Sequence, residues 1–331
     1  MSTHLVKLGV YTSVQKMGFL DCSRKKKGNG GSMNLLSQVK RGRLKKPILT
    51  LVYGPDGVGK STFGADAPNA IFLGPEKGTA SLDVARFPSP TNFKQVMHAI
   101  EELNSAEHEY QTLVIDSLDW IEPLVWDQVC NDAGKSNIEE VGGGYGKGYV
   151  AANKVWLEMI GKLSRLQETR GMNIILIAHS QVKTFQDPQT QSGYDRYQLK
   201  LNEKAGALFR EFVDSVLFAN YEVFTKKDGG RTRAFGDGAR VLFTERRPSF
   251  DAKNRLGLPF QIPLSFDEFV KSCEAGQPED PELIKKNIEE LLSQVKDPEL
   301  KSRVMEAVEK ASQDSTKLEK IQNRLRSRLS N

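Results

Sequence analysis

One nine-residue stretch, Gly54-Pro55-Asp56-Gly57-Val58-Gly59-Lys60-Ser61-Thr62, limits what this chain can fold into more than any other. It fills the pattern GxxxxGK[ST] and directly follows the apolar run ILTLVY at 48–53. Glycines in such a loop let the backbone curl until several N–H groups face one point, where a phosphate group fits. A helix opening at Lys60 adds positive potential there. The arrangement needs a strand before it and a helix after it, so the chain must contain at least one βα unit.

The surrounding sequence extends that unit into a layered domain. Apolar runs at 70–73 (AIFL), 112–115 (TLVI), 173–178 (NIILIA), 215–219 (SVLFA) and 240–244 (RVLFT) read as buried strands. Between them lie amphipathic stretches, such as 153–169 with Val155, Met159, Ile160, Leu163 and Leu166 on one helical face. Short apolar strands separated by helices predict an α/β fold, a mainly parallel sheet covered on both sides. At 331 residues the chain is long enough for one large domain with appendages.

Three segments are expected. Residues 1–46 form a basic, partly disordered extension, with eleven Lys/Arg against one Asp. Residues 47–272 form the α/β core. Residues 273–331 form three short helices, because Asp280-Pro-Glu-Leu recurs as Asp297-Pro-Glu-Leu and Asp314 follows after another 17 residues. Asp suits an N-cap and Pro the first helical position. The last helix carries the stripe Leu318, Ile321, Leu325 and Leu329. That stripe either packs on the other helices or docks a partner protein. The basic arm either contacts a polyanion or is a solvated leader.

Other classes are excluded or unsupported. No run of eighteen apolar residues suggests a membrane span, and the first twenty residues lack a secretory pattern. Cys22, Cys130 and Cys273 lie far apart, giving neither a zinc pattern nor a disulfide framework, as expected of a cytoplasmic protein.

A phosphate site of this kind needs further groups at the same sheet edge. Lys60 is expected to neutralise β- and γ-phosphates, and Ser61 to take one magnesium position. Asp116 ends the apolar run TLVID and is the expected acidic partner of the metal. Glu76, in FLGPEKGT just after the second strand, is the candidate to orient or deprotonate water; a solvent-facing loop residue is the alternative. His179 ends the fourth strand and is either a γ-phosphate sensor, with Gln181 as stand-in, or structural.

With these parts in this order the chain resembles the RecA-like ATPases over about residues 47–270. The segment DAKNRLGLPF at 251–260 looks like that family's Lys-Asn-Lys segment, and less closely like the Lys-x-Arg-x-Gly of DnaB-type helicases. The overall style, including LNEKAGALF, is similar to phage-encoded RecA-core ATPases linked to single-strand annealing. The resemblance implies Mg-ATP bound at subunit interfaces, with Lys253 and Arg255 reaching a neighbour's nucleotide. A cation supplied in trans accelerates phosphoryl transfer by roughly 10³–10⁵. Lys-x-Arg on a strand places both side chains on one face; an exposed polar strand face is the other reading. Residues 1–46 do not show the N-terminal helix and polymerisation strand of RecA itself, and they leave no room for the N-terminal domain of the DnaB helicases.

Two segments sit where RecA-like proteins line a DNA channel. VGGGYGKGYV at 141–150 offers Tyr145, Lys147 and Tyr149 among glycines, and 182–204 offers Lys183, Phe185, Tyr194, Arg196, Tyr197 and Lys200. Both are expected as long loops that stack on bases or meet phosphates, unless they are surface loops of no special role. The resemblance then implies a DNA-stimulated ATPase that binds single-stranded DNA and assembles with itself, as filament or ring, in recombination or annealing. Another recombination or single-strand-binding protein is the expected partner of the C-terminal helices. A DnaB-type translocase and a nucleotide-gated annealing module with little hydrolysis are the alternatives.

Overall fold

A computed structural model describes residues 46–329 apart from 77, 223, 229–230, 236–237, 276–280, 296 and 312–313. The basic extension up to residue 45, with Cys22, and the first of the expected caps, Asp280, therefore lie outside the described residues.

The elements run β1 (Leu49–Gly54), α1 (Lys60–Ala65), β2 (Ala70–Leu73), β3 (Ala85–Arg86), α2 (Phe93–Ser105), β4 (Thr112–Ile115), α3 (Leu118–Ala133), α4 (Lys147–Arg170), β5 (Asn173–Phe185), β6 (Tyr194–Leu199), α5 (Glu203–Phe212), β7 (Ser215–Tyr221), β8 (Phe224–Asp228), β9 (Arg231–Phe235), β10 (Arg240–Phe243), β11 (Lys253–Asn254), β12 (Gln261–Pro263), α6 (Phe266–Ala275), α7 (Pro281–Gln294), α8 (Pro298–Ala311) and α9 (Ser315–Leu329). The main sheet has the order β12-β10-β7-β1-β5-β4-β2-β3. Its centre, β7 through β3, is parallel, while β10, β12 and β11 pair antiparallel at one side. The expected α/β class with a mainly parallel sheet is what the structure has.

Strand side chains alternate between faces, and the core divides accordingly. Leu49, Leu51, Tyr53, Ile115, Ile174 and Leu176 face α2, α3, α4 and α5; Trp156 of α4 lies fully buried there, edge-on to Phe93 and Phe209. Val52, Val114, Ile175, Ile177 and Leu217 face the other way, against Phe63 of α1 and Phe266, Phe269 and Cys273 of α6. The α6 helix thus carries this core on to Cys273.

Parallel pairing fixes the site. Gly54 lies across from His179, and Leu73 across from Ile115, so the ends of β1, β2, β4 and β5 open on one edge. There the chain segments after each strand meet, as is usual for ligand sites on open parallel sheets.

Two expected loops are structured. Residues 182–204 are not a long loop: β5 runs on to Phe185 and pairs antiparallel with β6, Val182 opposite Tyr197. The alternation of polar and aromatic residues there is a two-sided hairpin, which apolar periodicity does not reveal. Residues 138–140 form a 3₁₀ turn that breaks at Val141 and Gly142, whose backbone is not helical, and α4 begins at Lys147 after a glycine turn. The cations of DAKNRLGLPF do not share one strand face either. β11 ends at Asn254, whose Oδ1 accepts from the N–H of Leu256 and Leu258 and folds the chain into a turn.

The last three helices follow the 17-residue spacing. Asp297 accepts from the N–H of Glu299, and Asp314 from that of Lys317. Leu318 and Leu325 are buried against Ile284, Ile288 and Leu292, with Ile321 beside them; the side chain of Leu329 is outside the described set. The stripe on α9 packs on its sister helices.

Candidate functional site

The P-loop leaves β1 at Gly54 and enters α1 at Lys60. Gly59, the residue before the helix, has φ 109°, a conformation that side-chain-bearing residues rarely adopt. Lys60 is buried, and its Nζ donates to the carbonyls of Gly54 (3.1 Å) and Pro55 (2.9 Å). Burial lowers its pKa, while the charges of Asp56, Asp116, Glu76 and Asp119 act to raise it.

Asp116 and Ser61 lie side by side. Ser61 Oγ donates to Asp116 Oδ2 at 2.6 Å. Asp116 is only 4% exposed, and burial pushes its carboxyl up to about 6 against the Ser61 hydrogen bond. A hydroxyl and a carboxylate side by side are hard oxygen donors. They suit Mg²⁺, which takes one or two protein oxygens and completes its shell with water and phosphate. No cluster of three or more His, Cys, Asp or Glu that could hold a metal occurs among the described residues.

Glu76 points into the same region. Its Oε2 accepts from Ser117 Oγ at 3.0 Å, and its Oε1 lies 3.8 Å from His179 Nε2. A cleft of about 510 Å³ opens beside Glu76 and Asp116, walled by Arg86, Phe87, Pro88 and Ser89.

His179 is held by a residue that motif reading missed. Asp119 accepts from the His179 backbone N–H at 2.9 Å and meets its Nδ1 at 2.8 Å. The imidazole Nε2 then faces Asp56 (3.4 Å) and Glu76. The Asp119 hydrogen bond is the main reason the His179 pKa is raised, and Asp119 itself is lowered by its bonds to His179 against the cost of burial. Asp119 sits in the first turn of α3, three residues after Asp116, where it reads as an ordinary acidic helix start. Gln181, the alternative sensor, has its amide nitrogen engaged by the Leu199 carbonyl at 2.8 Å.

Two further residues border the P-loop from the β7–β10 side. Tyr221 Oη lies 3.4 Å from the Gly57 carbonyl, and Arg240 Nη1 lies 3.5 Å from that of Val58. Both come from strands distant in sequence, so no local motif announces them.

The residues expected to bind DNA divide. Tyr145 is fully exposed in the glycine turn, and Lys147, Lys183 and Lys200 are exposed. Tyr149 and Trp126 form an edge-to-face pair at 5.6 Å, and the Tyr149 hydroxyl donates to Glu139, so this ring is held against its own chain. Arg196 is a correction: it is 3% exposed, bonded to the Phe250 carbonyl and Asp251, and lies over the Phe185 ring. A guanidinium buried in its own chain cannot lie on a strand-binding surface.

Lys253 is a second correction. Its Nζ donates to the carbonyls of Arg210 (2.7 Å), Glu211 (3.1 Å) and Val213 (2.6 Å), closing the C-terminal end of α5. All three ammonium donors have partners, an arrangement that satisfies helix-end carbonyls. Arg255 remains exposed.

Among curated proteins no relative matches this chain. A solved structure, the crystal structure of the RadB recombinase, is similar over 61% of this chain and 82% of that one, at 16% identity and a TM-score of 0.35. The profile of the AAA domain matches residues 46–256, the span from the strand before the P-loop to the turn after Lys253. That match takes in Lys60, Ser61, Glu76, Asp116 and His179, and the chain belongs to the AAA domain family.

Proposed function

We propose that this chain is a Mg-ATP-dependent ATPase with a RecA-like core that acts on single-stranded DNA in recombination or strand annealing, in the phage setting its resemblance suggests. The observation that carries this reading is the meeting of Lys60, Ser61, Asp116, Glu76 and His179 at one sheet edge. The P-loop N–H groups and Lys60 bind the β- and γ-phosphates, for which Lys60 exchanges its present carbonyl partners. Ser61 and Asp116 would hold a magnesium ion, which when bound would supply positive charge to the phosphate oxygens. Glu76 orients a water molecule and accepts its proton. His179, fixed by Asp119, turns Nε2 toward the γ-phosphate.

Charge on the far side of the triphosphate comes from Arg255 of a second copy, Lys253 being engaged in its own chain. Tyr145, Lys147, Lys183 and Lys200 form the DNA track, and a partner binds outside the packed stripe of the C-terminal helices.

The test is specific ATPase activity measured against protein concentration and against added single-stranded DNA. It should rise in both titrations; a flat response in both removes the reading. Glu76→Gln should abolish turnover, and annealing that survives it shows that assembly, rather than hydrolysis, is the working step.

A further inference from the structure

Away from the P-loop, three guanidinium groups from three elements surround one carboxylate. Arg196 of β6 bonds Asp251 Oδ1 at 3.1 Å. Arg210 of α5 places its Nε 3.6 Å from Asp251 Oδ2, and Arg246, in the segment after β10, places its Nε 3.8 Å from Oδ1. The last two distances are too long for hydrogen bonds, so the donors of Arg210 and Arg246 are drawn together without being saturated. Arg210 is 34% and Arg246 60% exposed, so both are open to a ligand. Arg196 carries a further sign of unmet demand: its buried Nε has no hydrogen-bond partner.

The cluster is rigidly mounted. The phenol of buried Tyr53 donates to the Asp251 carbonyl (2.6 Å) and accepts from its N–H (2.9 Å). Phe250 stacks on Phe218 and packs on Phe243, and Tyr197 N–H bonds the Ser249 carbonyl. Arg247 lies over the Phe260 ring at 4.1 Å, which sets the turn that presents Arg246. Asp251 stands among three guanidinium groups, and Asp187 also lies within the field of Arg196 and Arg246, which leaves a smaller but still positive excess at a fixed place. Planar forks of N–H donors match phosphate oxygens bidentately.

We propose that Arg210 and Arg246, braced by Asp251 and Arg196, form a binding site for a phosphate group supplied from outside the chain. The shared chemistry admits two sources, the backbone of a nucleic acid or the nucleotide of a second copy. Asp251 holds the site open by drawing both guanidinium groups inward, and an arriving phosphate takes over their free donors.

The experiment has two arms, each run on wild type, Arg210→Gln, Arg246→Gln and Asp251→Asn. In the first, a fluorescent thymidine oligonucleotide is titrated by anisotropy at several salt concentrations. If the source is nucleic acid, each arginine variant binds several-fold more weakly and the salt slope falls by about one. Asp251→Asn then also binds more weakly, because the carboxylate that holds Arg210 and Arg246 in place is gone. In the second arm ATP hydrolysis is followed against protein concentration. If the source is a neighbour's nucleotide, the arginine variants lose the concentration-dependent part while oligonucleotide binding stays unchanged.

Arg246 is the most exposed of the three, so Arg246→Gln keeps the test valid should Asp251→Asn fold poorly. The first arm needs no hydrolysis, so absent ATPase activity in wild type removes the proposed function and not this site. Arginine variants that match wild type in both arms overturn the proposal and make the cluster an internal ion network.

Discussion

Asp119 takes both the backbone N–H and the imidazole Nδ1 of His179, so one carboxylate fixes the position and the tautomer of the residue whose Nε2 faces Asp56 and Glu76. The neutral ring, donating at Nδ1, presents Nε2 as an acceptor; the protonated ring presents a donor. Because Asp119 raises the His179 pKa, the donor form persists to higher pH than in an unpartnered histidine. Asp119→Asn should therefore lower the His179 pKa and shift the alkaline limb of the ATPase pH profile to lower pH. Turnover should fall on the order of tenfold, about 1.4 kcal/mol of barrier. Ring titration by NMR checks the first effect and a pH–rate profile the second. An unchanged titration would show that Asp119 only packs.

Lys253 and Arg255 should separate cleanly. Replacing Lys253 by Met removes a charge-assisted set of hydrogen bonds from three helix-end carbonyls, at a cost of about 1.5–3 kcal/mol in stability. Activity per folded molecule should stay near wild type. Arg255→Ala should do the reverse, leaving the denaturation midpoint nearly unchanged and removing ATPase activity that depends on protein concentration. Denaturant titration and hydrolysis assays on the same preparations distinguish the two.

The contrast between these residues shows what sequence reasoning reads and where it stops. The P-loop, Asp116 and Glu76 are legible because each directly follows an apolar strand, and parallel pairing brings such ends to one edge. Asp119 and Lys253 are not legible, because their roles depend on which element lies across from them in space. Asp119 resembles any acidic helix start, and Lys253 any surface cation, until β5 and α5 are placed. The β5–β6 hairpin was hidden for a related reason. Polar residues stand on both of its faces, Arg196 even on the buried one, so apolar alternation, the signal of a half-buried strand, is missing. Arg196 looks like a DNA contact for as long as Asp251, 55 residues further on, is not seen beside it.

Glu122 makes the pH dependence of stability testable apart from nucleotide. This α3 carboxylate is 6% exposed and accepts from the Asn202 N–H with both oxygens, at 2.9 and 3.1 Å. Burial pushes its pKa up to about 7, with Asp119 adding to the rise, while the Asn202 bond and Lys183 oppose it. The folded state therefore holds this proton more tightly than the unfolded chain. Its contribution is complete below the ordinary glutamate range and is lost as pH rises toward 7. Wild type should lose on the order of 2–3 kcal/mol from this group between about pH 4.5 and 7. Glu122→Gln should be flatter over that window and the more stable protein at pH 8. Denaturant melts at pH 5 and pH 8 decide it; parallel shifts of both proteins would exclude Glu122 as the source.

Gly74 should tolerate no side chain. It follows β2, and a Cβ built there would stand 1.9 Å from the carbonyl oxygen of Asp116 and 2.6 Å from its carbonyl carbon. The neighbour is backbone, so no side-chain rotation relieves the contact; either the loop bearing Glu76 or the end of β4 must move. Overpacking of this kind costs about 1–3 kcal/mol. The functional loss should exceed the loss of stability, because the displaced atoms belong to Asp116 and its Ser61 bond. Gly74→Ala is thus expected to fold with a lowered melting temperature yet bind Mg-ATP at least tenfold more weakly, while affinity for metal-free ATP changes less. Calorimetric titration with and without magnesium separates the two affinities, and equal losses in both would place the damage in the P-loop instead of at Asp116.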